Sequence, residues 1–204
     1  MEFTDIVEYL GTIAFAVSGI RLAARKKFDL FGAFVVGFIT ATGGGTVRDM
    51  LLQREVFWLS SPSFLICTVL GLVIVILFRH WLVKLEYTFF IFDAVGLGLF
   101  TVTGIVVTLE MGHSMLLAII LGTVTGSIGG VMRDVLINEV PLIFREDIYA
   151  TASVFGGLIF AILTFLSVGS ITIQIVTILS IILIRVLVVK YKLRLPAFSG
   201  KREK

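Results

Sequence analysis

Ala41-Thr-Gly-Gly-Gly-Thr-Val-Arg-Asp-Met-Leu-Leu52 recurs as Gly126-Ser-Ile-Gly-Gly-Val-Met-Arg-Asp-Val-Leu-Ile137. Arg133 follows Arg48, and Asp134 follows Asp49, at one constant interval. Without a gap, that interval also carries Gly44 onto Gly129, Gly45 onto Gly130, Gly37 onto Gly122, Thr40 onto Thr125, Gly19 onto Gly104 and Phe15 onto Phe100. The chain therefore contains an internal duplication. Each copy sets glycines and a charged pair at the end of an apolar segment.

The surroundings of the two copies are apolar throughout. Of 204 residues, 58% are hydrophobic and only 15% charged, and the mean hydropathy is +1.08. One soluble core of this size cannot bury that much apolar surface, so the solvent is lipid. Apolar segments of about 20 residues, matched to a hydrocarbon core of roughly 30 Å, give seven helical spans. They cover residues 4–22, 30–52, 62–83, 87–109, 115–137, 148–168 and 171–189. Lipid permits only helices or a closed barrel, and the segments lack the alternation of barrel strands. The fold class is an all-α integral membrane protein, with an inverted three-plus-three repeat and a seventh helix.

Residues 1–195 form one transmembrane domain, with repeat one at 4–84, repeat two at 87–168, and a basic tail at 196–204. Met1-Glu-Phe-Thr-Asp5 lacks the basic start of a cleavable signal, so the first span is read as retained. Basic residues collect after span one (Arg21, Arg25, Lys26, Lys27), after span three (Arg79, Lys84) and in the tail (Lys190, Lys192, Arg194, Lys201, Arg202, Lys204). Positively charged loops stay cytoplasmic, which places the N-terminus outside and the C-terminus inside. The same residues attract anionic lipid headgroups.

Three spans per copy force the copies to enter the membrane from opposite faces. Inverted repeats of this kind are a recurring plan of transport proteins, with the site where interrupted helices of the two halves meet. Two uses fit the glycines. Gly43, Gly44, Gly45, Gly129 and Gly130 can permit an unwound, hinged turn whose freed carbonyls face a cavity. Thr40, Thr42, Thr46, Thr123, Thr125 and Ser127 would add hydroxyl oxygens to such a lining. Alternatively, Gly122, Gly126 and Gly130 form small-xxx-small patterns suited to close helix packing. Arg48, Asp49, Arg133 and Asp134 point toward permeation, because ionisable groups near membrane depth usually face a bundle interior or an aqueous path. Anchoring Arg48 at the interface is the competing use.

Asp93, near the start of span four, can pair with an arginine of span five, with Lys84, or sit among headgroups. His80 and His113 are too far apart in sequence to suggest a metal site, and Phe57, Trp58, Trp81 and Tyr87 suit an interfacial belt. The single cysteine, Cys67, reads as a small buried hydrophobe. No pattern suggests an enzyme, a cofactor, a metal or a nucleic-acid partner.

Gly43-Gly-Gly-Thr-Val-Arg-Asp49, Gly129-Gly-Val-Met-Arg-Asp134 and Asp93-Ala-Val-Gly-Leu-Gly-Leu-Phe100, on this seven-span plan, resemble prokaryotic trimeric intracellular cation (TRIC) channels. The resemblance covers residues 4–190. It implies a homotrimer in the prokaryotic plasma membrane, each subunit carrying its own pore for potassium and other monovalent cations such as sodium. Kinked spans two and five would line it. Carried over, Gly43, Gly44, Gly45, Gly129 and Gly130 are hinges, while Thr42, Thr46, Arg48, Asp49, Thr125, Ser127, Arg133 and Asp134 line the pore or its mouths. Animal members carry basic residues on span four that are linked to voltage sensing. Residues 87–109 contain Asp93 but no lysine or arginine. A secondary transporter of a small solute such as glycine is the alternative function, on the same inverted frame.

Overall fold

The duplication extends to the turns that start and stop the helices. In the computed structural model, which describes residues 3–82, 86–145 and 148–193, the chain forms α1 (Phe3–Arg25), α2 (Leu30–Leu51), α3 (Ser63–Leu77), α4 (Arg79–Leu82), α5 (Glu86–Glu110), α6 (Met115–Leu136), α7 (Leu142–Arg145), α8 (Ala150–Phe165) and α9 (Ser170–Tyr191). Asp29 caps α2 by accepting from the Gly32 amide at 2.7 Å, and Ser114 caps α6 by accepting from the Leu117 amide at 3.4 Å. At the other end, Gln53 (φ 53°) and Asn138 (φ 56°) take the left-handed conformation. Their successors close the last turns, Arg54 N donating to Asp49 O at 3.0 Å and Glu139 N to Asp134 O at 2.8 Å. The repeat interval separates the members of each of these pairs. Such αL closures satisfy carbonyls that a helix end otherwise leaves bare.

Five helices are long and apolar enough to cross a membrane, while α3 and α8 are apolar but shorter, at 15 and 16 residues. The sequence places spans at 62–83 and 148–168; both are trimmed in the structure. Phe78 ends α3, and a single turn, α4, follows it. A left-handed Ser167 (φ 54°) closes α8. Hydropathy runs on through these breaks because it does not sense backbone turns. The tail at 196–204 lies outside the described residues.

Packing is reciprocal between the halves. The ring of Phe15 on α1 stacks on that of Phe100 on α5, with centroids 5.3 Å apart. Gly96 makes room for Phe15, and Gly11 for Phe100. Gly19 fits against Gly37 and Thr40, as Gly104 fits against Gly122 and Thr125. Exchanging the halves maps each contact onto its counterpart, so an approximate two-fold relates α1–α3 to α5, α6 and α8. The remaining long helix, α9, packs on α5 and α8 and lies outside the repeat. Outward faces stay apolar, as at Leu70, Ile76, Phe155 and Leu179.

The centre of this arrangement is the crossing of α2 and α6. A β-carbon on Gly44 would collide with the carbonyl oxygen of Thr125, and one on Gly129 with that of Thr40. Both helices run unbroken through Gly43–Gly45 and Gly129–Gly130. The expected unwound turn is therefore absent, and Gly44 and Gly129 serve close backbone approach instead. Loss of helix propensity and the need for a flat contact surface leave the same glycine signal in a sequence.

Candidate functional site

At the ends of the crossed helices the two Arg–Asp motifs fold back on themselves in the same way. Arg48 Nε donates to Asp49 Oδ1 at 2.8 Å, and Arg133 Nε donates to Asp134 Oδ1 at 2.9 Å. The second carboxylate oxygen of each aspartate accepts a backbone amide at 2.9 Å, from Phe57 in copy one and Leu142 in copy two. Phe57 and Leu142 are themselves repeat equivalents. Each motif thus fastens the end of its helix to the loop that follows. All four charged side chains are buried, at 0–1% exposure. An arginine serving as an interfacial anchor would leave its head outside; Arg48 does not.

Each arginine then reaches an acid on the first helix of a half. Arg133 Nη1 donates to Asp93 Oδ1 at 2.5 Å, which resolves the partner of Asp93 in favour of span five. Lys84, the other candidate, lies outside the described residues. Arg48 reaches Glu8, with Nη1 and Nη2 at 3.4 and 3.5 Å from Oε1. Glu8 and Asp93 are related by the repeat, so stepping back from Asp93 by one repeat interval locates an acid that sequence reading passed over.

Copy two carries further contacts. Arg133 Nη1 donates to Ser18 Oγ at 3.0 Å, and its guanidinium lies 4.7 Å from the Phe89 ring centre. The Tyr149 hydroxyl donates to Asp93 Oδ1 at 3.4 Å. Arg185 of α9 stacks over the rings of Phe90 and Tyr149 at 4.9 and 4.7 Å, and donates to the Ile148 carbonyl at 2.8 Å. Arginine over aromatic faces in a dry setting is a favourable placement. Arg21, counted from sequence among loop charges, is instead buried in α1 at 1% exposure, 6.0 Å from the Phe89 ring centre. A cavity of about 540 Å³ adjoins this cluster, lined by Arg25, Lys26, Phe89, Asp134 and Glu139 among others. Lys26 and Glu139 pair beside it at 2.6 Å.

The hydroxyls expected to line a path are engaged within their own helices. Thr40, Thr42, Thr46, Thr123, Thr125 and Ser127 each donate to the carbonyl four residues earlier, at 2.6–2.9 Å. Donation occupies the proton and leaves oxygen lone pairs available. Thr46 uses one to accept from Trp58 Nε1 at 2.9 Å. Gly43 faces the Met132 thioether, Gly45 the Phe57 ring and Gly130 the Tyr149 hydroxyl. Phe57, assigned from sequence to an interfacial belt, is buried at 6% exposure, packed on Phe64 and beside Arg48. Trp81 and Tyr87 have side chains outside the described residues. Cys67 is buried and free, as expected. No group of acids, histidines and cysteine suited to a metal occurs among the described residues.

A duplicated helical bundle with buried ion pairs at the ends of two crossed, membrane-length helices defines a polytopic membrane protein built for transport. The chain belongs to the family whose model is described as "Glycine transporter", which matches residues 5–80 and 90–164, and to which the TRIC channels belong. It is 36% identical, over 95% of both chains, to the UPF0126 inner membrane protein YadS of Escherichia coli (strain K12). A TRIC trimeric intracellular cation channel orthologue from Rhodobacter sphaeroides superposes with a TM-score of 0.89 at 32% identity, covering 95% of this chain and all of that one. A second solved structure, concerned with conductance through TRIC cation channels, gives 0.84 at 34% identity over the whole of both chains.

Proposed function

We propose that the protein is a cation channel, permeable to potassium, with one pore inside each subunit of a homotrimer. The pore runs beside α2 and α6, from the Arg48–Asp49 cluster at one mouth to the Arg133–Asp134 cluster at the other. The observation that carries this reading is the placement of two buried, internally neutralised charge clusters at the ends of one helix crossing. Buried guanidinium groups are costly in a membrane protein unless they serve a path or a gate. Likeness to TRIC channels over nearly the whole chain, at 32% and 34% identity, supports the same conclusion. The cavity of about 540 Å³ beside Asp134 is roomy enough for a cation with water around it. In the orientation set by the basic loops, Arg48 lies at the outer mouth and Arg133 at the cytoplasmic one, in a prokaryotic plasma membrane.

Planar-bilayer recording of the purified protein tests this. Unitary steps whose reversal potential follows the cation gradient are the expected result. The family model's description favours one other reading, a secondary transporter of glycine. Electrically silent, saturable glycine uptake into proteoliposomes, without unitary currents, would replace the channel with that carrier.

A further inference from the structure

The acids that meet the motif arginines occupy equivalent positions in the repeat but differ in how firmly they are held. Asp93 is enclosed at 0% exposure, with Oδ1 between Arg133 and Tyr149. Asp49 and Asp134 have both oxygens engaged, one by arginine and one by a backbone amide. Glu8 keeps 13% of its side chain exposed and meets Arg48 through Oε1 alone, at 3.4 Å or longer. Arg48 retains its 2.8 Å bond to Asp49 and its place 5.6 Å from the Phe57 ring centre, so letting go of Glu8 does not strand it. Glu8 sits in the second turn of α1 (Phe3–Arg25) and therefore within about 10 Å of that end of the bundle.

We infer that Glu8 is the specificity-determining carboxylate of the mouth at copy one. An arriving monovalent cation takes the carboxylate over from Arg48, and Arg48 remains with Asp49. A fixed carboxylate at a low-dielectric entrance concentrates cations there and repels anions. Its influence shrinks as salt shortens the Debye length, from roughly 30 Å at 0.01 M to 3 Å at 1 M. This inference rests on the channel reading above.

The test is single-channel recording of reconstituted wild type and Glu8→Gln over a range of KCl concentrations. Glu8→Gln should lower unitary conductance by roughly twofold or more in dilute KCl and match wild type near 1 M. A Glu8→Cys variant in a Cys67→Ser background gives a second measurement on folded, reconstituted protein. An anionic thiosulfonate reagent should restore dilute-salt conductance there, whereas a cationic one should depress it further. If wild type conducts and Glu8→Gln conducts equally well in dilute KCl, or if both reagents act alike, Glu8 has no such role. If wild type passes no cation current, the channel reading itself fails and takes this inference with it.

Discussion

Around Arg48 and around Arg133 the same skeleton is built twice: arginine to neighbouring aspartate, aspartate to a loop amide, arginine to an acid on the first helix of a half. What differs is the number of outside attachments. Arg133 is also tied to Ser18, and its acid to Tyr149, over which Arg185 of α9 lies. In copy one, Thr103, the counterpart of Ser18, donates instead to its own helix at Leu99 O. A duplicated chain thus holds one motif rigidly and the other loosely, without altering the motif itself. The helix outside the repeat supplies much of the difference.

The largest expected effect separates the two arginines. Arg133→Gln leaves Asp93 and Asp134 buried with a lost ionic partner and should destabilise by about 3–5 kcal/mol. Arg48→Gln removes a longer, partly exposed contact to Glu8 and should cost less. Thermal unfolding in detergent checks the order, and equal losses would erase the distinction between the copies. In variants that fold, unitary conductance should change in both, since each arginine stands at a mouth.

The glycine crossing is where the copies should behave alike. Gly44→Ala and Gly129→Ala each drive a methyl group into an opposing carbonyl, so both should cost about 1–3 kcal/mol. Gly43→Ala meets only the flexible Met132 side chain and should be milder. Matching losses at Gly44 and Gly129, measured by the same unfolding assay, would sharpen the two-fold relation; a tolerant Gly44 beside an intolerant Gly129 would break it.

Removing the extra helix's contribution comes next. Arg185→Met keeps much of the side-chain volume but gives up a hydrogen bond and two aromatic contacts, a loss of about 1–3 kcal/mol. If α9 is what makes copy two the firmer cluster, amide exchange should quicken around Tyr149 and Asp93 in this variant and stay unchanged around Glu8. Uniform loosening would assign Arg185 to general packing.

The repeat, the number of long apolar helices and the ion-pair skeleton were legible because the duplication ties side-chain identity to position. Asp93 and Arg133 could be joined as candidates, and the interval then leads directly to Glu8. Arg185 and Tyr149 were not legible: neither belongs to the repeated motif, and only folding brings α9 against the start of α8. The glycines were legible as special but not as to purpose, since Gly44 beside a carbonyl and a glycine in an unwound turn look identical in one dimension. The shortness of α3 and α8 was hidden because apolar residues continue past their capping turns.

The smallest effect concerns the rim of copy two. Lys26 and Glu139 pair at 2.6 Å with 42% and 37% of their side chains exposed. At the equivalent positions of copy one stand Met111 and Arg54, and Arg54 turns back toward Asp49, its Nε 3.6 Å from Oδ1. The copies therefore differ at the surface as well as inside. An exposed pair of this kind contributes about 0–1 kcal/mol, because solvent screens it and both side chains lose freedom. A double-mutant cycle of Lys26→Ala and Glu139→Ala should return a coupling in that range, fading as salt rises. Glu139 lines the cavity beside Asp134 and has further interactions of its own. Glu139→Ala should therefore cost more than Lys26→Ala, and equal costs would reduce the rim to the bare pair.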